Sequence, residues 1–371
     1  MIVYLLVLVI LLIGVFHYEK KDLPGKNKWY ILEWLILVLV AGLRYKIGGD
    51  TAAYMRDYDF YPTLSELSSF DFAEESRQPL WYLFCALCKA VNTEFVCFQL
   101  IHSIVVNTII LWFFKKHSQR PFVCVLIYAL FFYMNYCTEV LRASLSVCMF
   151  LLSYDYLIGK KWLRYALFSI IAYGFHAQAI VMLLFPLCHV VAGLSFFSIL
   201  SFAIGGSIVV LLMDYIPIIG AALQTLEAVA AYMEHYSSEY SSINIFGIIS
   251  NSFTVLLWLY LLYITKDYED EKKFFLLLMV IFTVGSMKYR VIFGRNLVYA
   301  YPLVIIYIVA YYKKLLHYTL LYACIFYTWL SFYTWKEAPN FKTYRKYYPY
   351  ASWIDKTEDT QRNAVAGRGV W

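Results

Sequence analysis

A few residues of this chain combine a chemically capable side chain with an unexpected setting. Arg142 stands in Thr138-Glu139-Val140-Leu141-Arg142-Ala143-Ser144, inside an otherwise apolar run. A charge in a membrane span costs at least about 2.5–3.5 kcal/mol on insertion scales, so it is usually functional or paired. Glu139, three residues earlier, is the expected partner on the same helical face. Such a pair would also hold the guanidinium toward a cavity. His176 follows Tyr173-Gly174-Phe175 and precedes Ala177-Gln178 in another apolar stretch. An interhelical hydrogen bond is its plainer use. Beside arginines, however, an imidazole stays neutral and can accept a proton.

Arg44-Tyr45-Lys46-Ile47-Gly48-Gly49-Asp50-Thr51 closes a further apolar run. Two glycines permit a tight turn. Asp50 and Thr51 then project polar groups, or simply cap the next helix. Arg290 and Arg295 flank Val291-Ile292-Phe293-Gly294. Arginine presents a planar fork that matches phosphate oxygens, so the pair suits a diphosphate as well as anionic lipid head groups. Asp57-Tyr58-Asp59 has the D-x-D spacing of a metal-binding pair, but in a loop rich in Tyr and Asp it points to no metal. Cys85 and Cys88 have C-x-x-C spacing within an apolar helix, where cysteines behave as small hydrophobes. No phosphate-loop or H-E-x-x-H motif is present, and no cofactor is expected.

The elements that position these residues are membrane helices. Hydrophobic residues make up 62% of the chain and charged residues 15%, against about 25% charged in soluble domains. Mean hydropathy is +0.62. Apolar blocks of roughly 17–22 residues match a hydrocarbon core of about 30 Å, and backbone satisfaction in lipid makes them helices. The blocks predict about twelve spans: 1–17, 29–46, 94–114, 121–137, 139–158, 162–175, 177–192, 195–212, 244–265, 274–289, 297–312 and 315–335. The first lacks a basic n-region and a small-residue cleavage site, and is read as a retained span rather than a signal peptide. The expectation is an all-α polytopic integral membrane protein with one transmembrane domain over 1–335 and a short extracytoplasmic tail over 336–371. The net charge of +6 is spread over loops. It suits anionic lipid or a phosphorylated lipid substrate, not nucleic acid.

Lys20, Lys21, Lys26, Lys28, Lys115, Lys116, Arg120, Lys160, Lys161, Arg164, Lys266, Lys272, Lys273, Lys313 and Lys314 fall in five short loops. The positive-inside rule places those loops in the cytoplasm and both termini outside. Pro79–Val91 is apolar but too short for a comfortable span. It reads as a re-entrant or interfacial outer helix anchored by Trp81 and Tyr82. On this topology Arg44, the Gly48–Thr51 turn, Glu139, Arg142, His176, Arg290 and Arg295 all lie at outer span ends.

The series Leu43-Arg44-Tyr45, Gly48-Gly49-Asp50-Thr51 and Tyr54 resembles the opening signature of the EpsG family of Wzy-like exopolysaccharide and O-antigen polymerases. Arg142-Ala143-Ser144-Leu145-Ser146, Phe175-His176, Arg295 and Pro349-Tyr350 resemble that family's later motifs, in the same order. Departures are Gln78-Pro79, where the family often has Glu-Pro, and Ala143, where it often has Gln. The resemblance implies a glycosyltransferase that joins undecaprenyl-diphosphate-linked oligosaccharide repeats on the outer leaflet of the bacterial cytoplasmic membrane. A GT-C-like architecture is compatible with it. Glycosyl transfer would be inverting and metal-independent, with His176 or Asp50 as base. Arg44, Thr51, Tyr54, Glu139, Arg142, Arg290 and Arg295 would bind substrate. A chain-length regulator or other polysaccharide-assembly protein is an expected partner, alongside the bilayer. The alternative is a transporter or flippase for the same lipid-linked saccharide, which should carry polar groups at mid-membrane. A membrane acyltransferase ranks third, because it would hold its histidine on the cytoplasmic side.

Overall fold

The computed structural model describes residues 2–19, 23–72, 77–212, 245–311 and 346–360. Among them the architecture is helical, and the one extended pairing is a single antiparallel bridge between Arg44 and Ser352. The predicted span 315–335 lies outside the described residues. The chain divides into two compact units, Met1–Ile180 with Ile305–Trp371, and Val181–Val304.

The first unit contains α1 (Ile2–Ile13), α2 (Lys26–Gly42), α3 (Thr51–Phe60), α4 (Pro79–Val91), α5 (Phe95–His117), α6 (Pro121–Phe131), α7 (Leu141–Ile158) and α8 (Trp162–Phe175). α5 and α7 form its interior, with α2 packed on α5 and α8 packed on α7. α4 lies against α5 and α8, and Pro79 starts it as expected. Pro fits the first helical turn because its missing N–H would have no partner there. The outer helices turn apolar stripes outward: Leu163, Leu167 and Ile170 on α8, and Ile2, Leu6, Val9 and Ile13 on α1, are all exposed. Apolar faces of that extent need lipid or a partner to cover them.

The predicted break near residue 138 takes a specific form. Asn135–Glu139 is a π-helical turn, Val140 is non-helical at φ −108° and ψ 49°, and α7 restarts at Leu141. π-turns of this kind often mark functional sites.

In the second unit, α9 (Cys188–Ala192), α10 (Phe196–Leu211), α11 (Ile245–Ile264) and α12 (Lys273–Ser286) are followed by α13 (Arg290–Tyr311), which begins there. α12 is buried along almost its whole length, with α9, α10 and α11 packed around it. The predicted span 177–192 is not a single α-helix. Ala177–Leu187 is a 3₁₀ stretch containing Pro186, and only Cys188–Ala192 is α-helical. Proline lacks the N–H that a continuous α-helix needs.

Among the described residues three helices are long and apolar enough to cross a membrane: Phe95–His117, Leu141–Ile158 and Phe293–Tyr311. Seven shorter apolar helices accompany them.

Candidate functional site

The site is built at one end of the first unit. α2 stops at Gly42, and Arg44 bends back to serve its own helix. Its Nη1 donates to the Ala41 carbonyl at 2.5 Å and its Nε to the Ile47 carbonyl at 3.2 Å. The side chain is 1% exposed. Carbonyls at a helix C-terminus have no internal partners and carry partial negative charge, so a cation fits there. Arg44, expected to bind substrate, thus caps α2 through Nη1 and Nε, while its Nη2 is buried without a partner.

Thr51 is likewise buried, with its hydroxyl donating to the Ile47 carbonyl. Gly48 between them takes φ +107°, and a Cβ there would stand 2.6 Å from Thr138 Cβ. A side chain at Gly49 would meet Glu139 Oε2 at 2.8 Å. The two glycines thus let this turn lie directly on the π-turn that carries Thr138 and Glu139. Asp50 holds the N-cap position of α3 without making the side-chain capping bond. Its charge instead acts on the Tyr54 and Tyr347 hydroxyls.

Glu139 is the hub. Its Oε1 accepts from the Gly49 N–H at 2.6 Å and from the Tyr347 hydroxyl at 3.0 Å. Its Oε2 lies 3.8 Å from Lys346 Nζ. The expected Glu139–Arg142 ion pair is not formed, because the break at Val140 takes the two residues off a common helix. Arg142 lies instead beside the Tyr54 hydroxyl. Burial pushes the Tyr54 hydroxyl pKa up, and the Arg142 charge pulls it back. Burial likewise raises Tyr347, and the Glu139 carboxylate adds to the rise. Arg142 sits in the first turn of α7, where the helix dipole disfavours a cation and favours an anion.

His176 caps the C-terminus of α8 and is 9% exposed. The Ser146 hydroxyl on α7 donates to the Ala172 carbonyl on α8. Because α7 and α8 run antiparallel across a short turn, four residues back from Ser146 and four forward from Ala172 bring Arg142 and His176 to one level. α4 reaches the same end, where a side chain at Gly174 would meet Leu80 and where Phe84 contacts Phe175. Asp57 has both carboxylate oxygens engaged, one by Arg56 and one by Arg77. Arg290 opens α13 and Arg295 follows in its second turn, both in the second unit.

Several site residues carried no visible signal in the sequence. Tyr347 and Lys346 arrive from a distant tail segment that folds onto the turn after α2. Tyr45 N–H bonds the Ala351 carbonyl, Gly48 N–H the Lys346 carbonyl and Trp353 N–H the Leu43 carbonyl. Tyr350, expected from its motif, donates to the Val40 carbonyl at 3.0 Å. His102 is buried in α5, its Nε2 within 3.0 Å of the Leu141 carbonyl and 3.1 Å of the Ser144 hydroxyl. It ties the start of α7, and so Arg142, to the interior.

The opposite end of the same unit gathers basic loops. Lys115 reaches Asn27, Lys116 pairs with Asp155, and Glu19 accepts from the Val123 N–H. The Gly48 turn, Glu139 and the segment from Lys346 lie together at the other end.

Apolar helices with outward apolar stripes define a helical membrane protein. The model of the EpsG family matches residues 27–352, and the chain belongs to that family. At family level it is a polymerase-like membrane protein of polysaccharide biosynthesis. No curated protein and no solved structure matches it.

Proposed function

We propose that the protein is a glycosyltransferase that polymerises undecaprenyl-diphosphate-linked oligosaccharide repeats at the outer face of the bacterial cytoplasmic membrane. The observation that supports this best is the convergence of three distant segments, Gly48–Tyr54, Glu139–Arg142 and Lys346–Tyr347, around one polar cluster at one end of a helical unit. The donor is already activated by its diphosphate, so no nucleotide or redox group is required.

In the reaction, a hydroxyl of the acceptor repeat attacks the anomeric carbon of the donor chain. The carbon–oxygen bond to the diphosphate breaks, and the departing diphosphate takes the electron pair. The hydroxyl proton passes to a base on the protein, and attack opposite the leaving group inverts the anomeric centre. Arg142 takes up charge on the departing diphosphate. On residue type alone, Arg290 and Arg295 are further candidates for phosphate oxygens. Glu139 holds the turn, and Tyr54 orients the guanidinium.

His176 is the proposed base, since its level matches Arg142 and histidine is the residue type whose unperturbed charge change falls near neutrality. Asp50 is its rival. With purified protein and lipid-linked repeat, His176→Ala should bind donor yet lose turnover by roughly 10²–10⁴-fold, the usual worth of a general base. Near-normal turnover in His176→Ala together with a dead Asp50→Asn would assign the role to Asp50. The polymerase reading itself is tested by deletion in the native host. Accumulation of single lipid-linked repeats supports it, and accumulation on the cytoplasmic leaflet favours the flippase alternative.

A further inference from the structure

Arg77 lies outside every motif that pointed to function, yet it enters the cluster from the loop before α4. Its Nη2 pairs with Asp57, and its guanidinium stacks on the Tyr61 ring, 5.3 Å from the centroid. That leaves Nη1, which is buried and has no hydrogen-bond partner. Arg142 Nε is buried and unpartnered in the same way. A chain of ring contacts links the two: Arg77 lies over Tyr61, Tyr61 contacts Trp81, Trp81 contacts Tyr54, and Arg142 lies beside the Tyr54 hydroxyl.

The wall between them is aromatic. The Trp81 ring contacts those of Tyr54 at 5.8 Å and Tyr61 at 6.4 Å. Trp81 is 1% exposed, and its indole N–H also has no partner. The hydroxyls of Tyr58 and Tyr61 are buried without partners too. Beside Arg77, Gln78 Oε1 is an unpartnered acceptor.

An unmet buried donor costs about 1–3 kcal/mol. Two arginine donors and an indole donor left unmet along one aromatic wall describe a site made for acceptor oxygens. Two guanidinium forks specify anionic ones. The Gln78 acceptor, the two tyrosine hydroxyls and the aromatic wall suit a hydroxylated ring next to the anion.

We propose that Arg77 and Arg142 together clamp the phosphate oxygens of the glycosyl diphosphate donor, with the Trp81 indole N–H as a third donor and Gln78 accepting from the adjoining sugar. This deepens the polymerase reading and rests on it for the identity of the donor. Asp57 is a positioning residue, since it holds one edge of Arg77 and turns the other toward the ligand.

The experiment uses full-length protein in neutral-lipid nanodiscs, with farnesyl diphosphate as probe and farnesol as its uncharged control. Arg77→Ala should weaken farnesyl diphosphate binding by about 10–100-fold, the range for losing a hydrogen bond to a charged group. Farnesol binding should not change. Arg77→Lys should recover only part of the loss, and Trp81→Phe, which keeps the ring, should cost several-fold. Thermal unfolding of each variant separates loss of the site from loss of the fold. Unchanged diphosphate affinity in folded Arg77→Ala or Arg77→Lys overturns the proposal. So does an equal loss for farnesol, which would make Arg77 merely structural. A third overturning result is competition by phosphatidylglycerol nanodiscs as effective as by inorganic pyrophosphate, which would mark a general anionic-lipid site. If wild-type protein binds the probe through Arg77 yet never extends lipid-linked repeats, the site stands and the polymerase reading falls.

Discussion

Replacing Glu139 by Ala should release the tail segment from the turn after α2. Two bonds end on Glu139 Oε1, from Gly49 N–H at 2.6 Å and from Tyr347 at 3.0 Å. Hydrogen bonds to a charged group contribute about 1.5–3 kcal/mol each. The Lys346 contact at 3.8 Å involves a side chain 33% exposed and adds at most about 1 kcal/mol. The two bonds share one oxygen, so their sum is not additive, and the local loss should be about 3 kcal/mol. At about 1.4 kcal/mol per decade, the segment should open roughly 100-fold more often. Hydrogen exchange in detergent reads this at the amides of Tyr45, Gly48 and Trp353, which bond across the two segments. Glu139→Gln keeps an acceptor in place and should raise exchange only about 10-fold. If Glu139→Ala leaves those amides as protected as in the wild type, Glu139 does not fasten the tail.

Further outcomes follow from other contacts. Gly48→Ala should cost about 1–2 kcal/mol in left-handed strain plus about 1–3 kcal/mol from overlap with Thr138. Gly25→Ala is also at positive φ but has nothing within 4 Å, so it should show the strain alone; unfolding curves of the two separate the contributions. Arg142→Lys should insert normally but fail to restore polymer, because a point charge does not reproduce the guanidinium fork; full polymer length on gels would contradict this. Burial pushes the Glu19 carboxyl up to about 7, against an ordinary 4.5. The folded state therefore binds the proton more tightly, and stability falls as pH rises from about 4.5 to 7, with full stability below that window. Allowing for screening, the decline should be about 1–2 kcal/mol. Glu19→Gln should flatten it, and an unchanged slope in thermal unfolding against pH would refute the assignment.

Helix positions were legible because lipid imposes a length and a composition on each apolar block. Pro79 and Val91 bound α4 as expected, and Trp162–Phe175 is α8 to the residue. What apolar length cannot encode is the internal form of a block. The π-turn at Asn135–Glu139 and the 3₁₀ stretch at Ala177–Leu187 look, in composition, like ordinary helix. That gap misdirected the expected Glu139–Arg142 pair, since i,i+3 spacing presumes one continuous helix. Arg44 shows a different limit. Residue type marked it as a cation at a helix end, but only the path of the chain after Leu43 shows that its donors return to Ala41 and Ile47. Arg77, Lys346 and Tyr347 stand in polar surroundings where a charged or aromatic residue attracts no notice. Their importance comes from contacts between segments far apart in the chain.

The contact between Glu139 and Tyr347 also sets an order of events during synthesis. The partners are 208 residues apart. At about 5–20 residues per second, roughly 10–40 s pass between their emergence. Throughout that interval the turn at Gly48-Gly49 and the carboxylate of Glu139 lack their final partner. The nascent chain therefore enters the membrane with this cluster incomplete, and the last described segment acts as the fastening that finishes it.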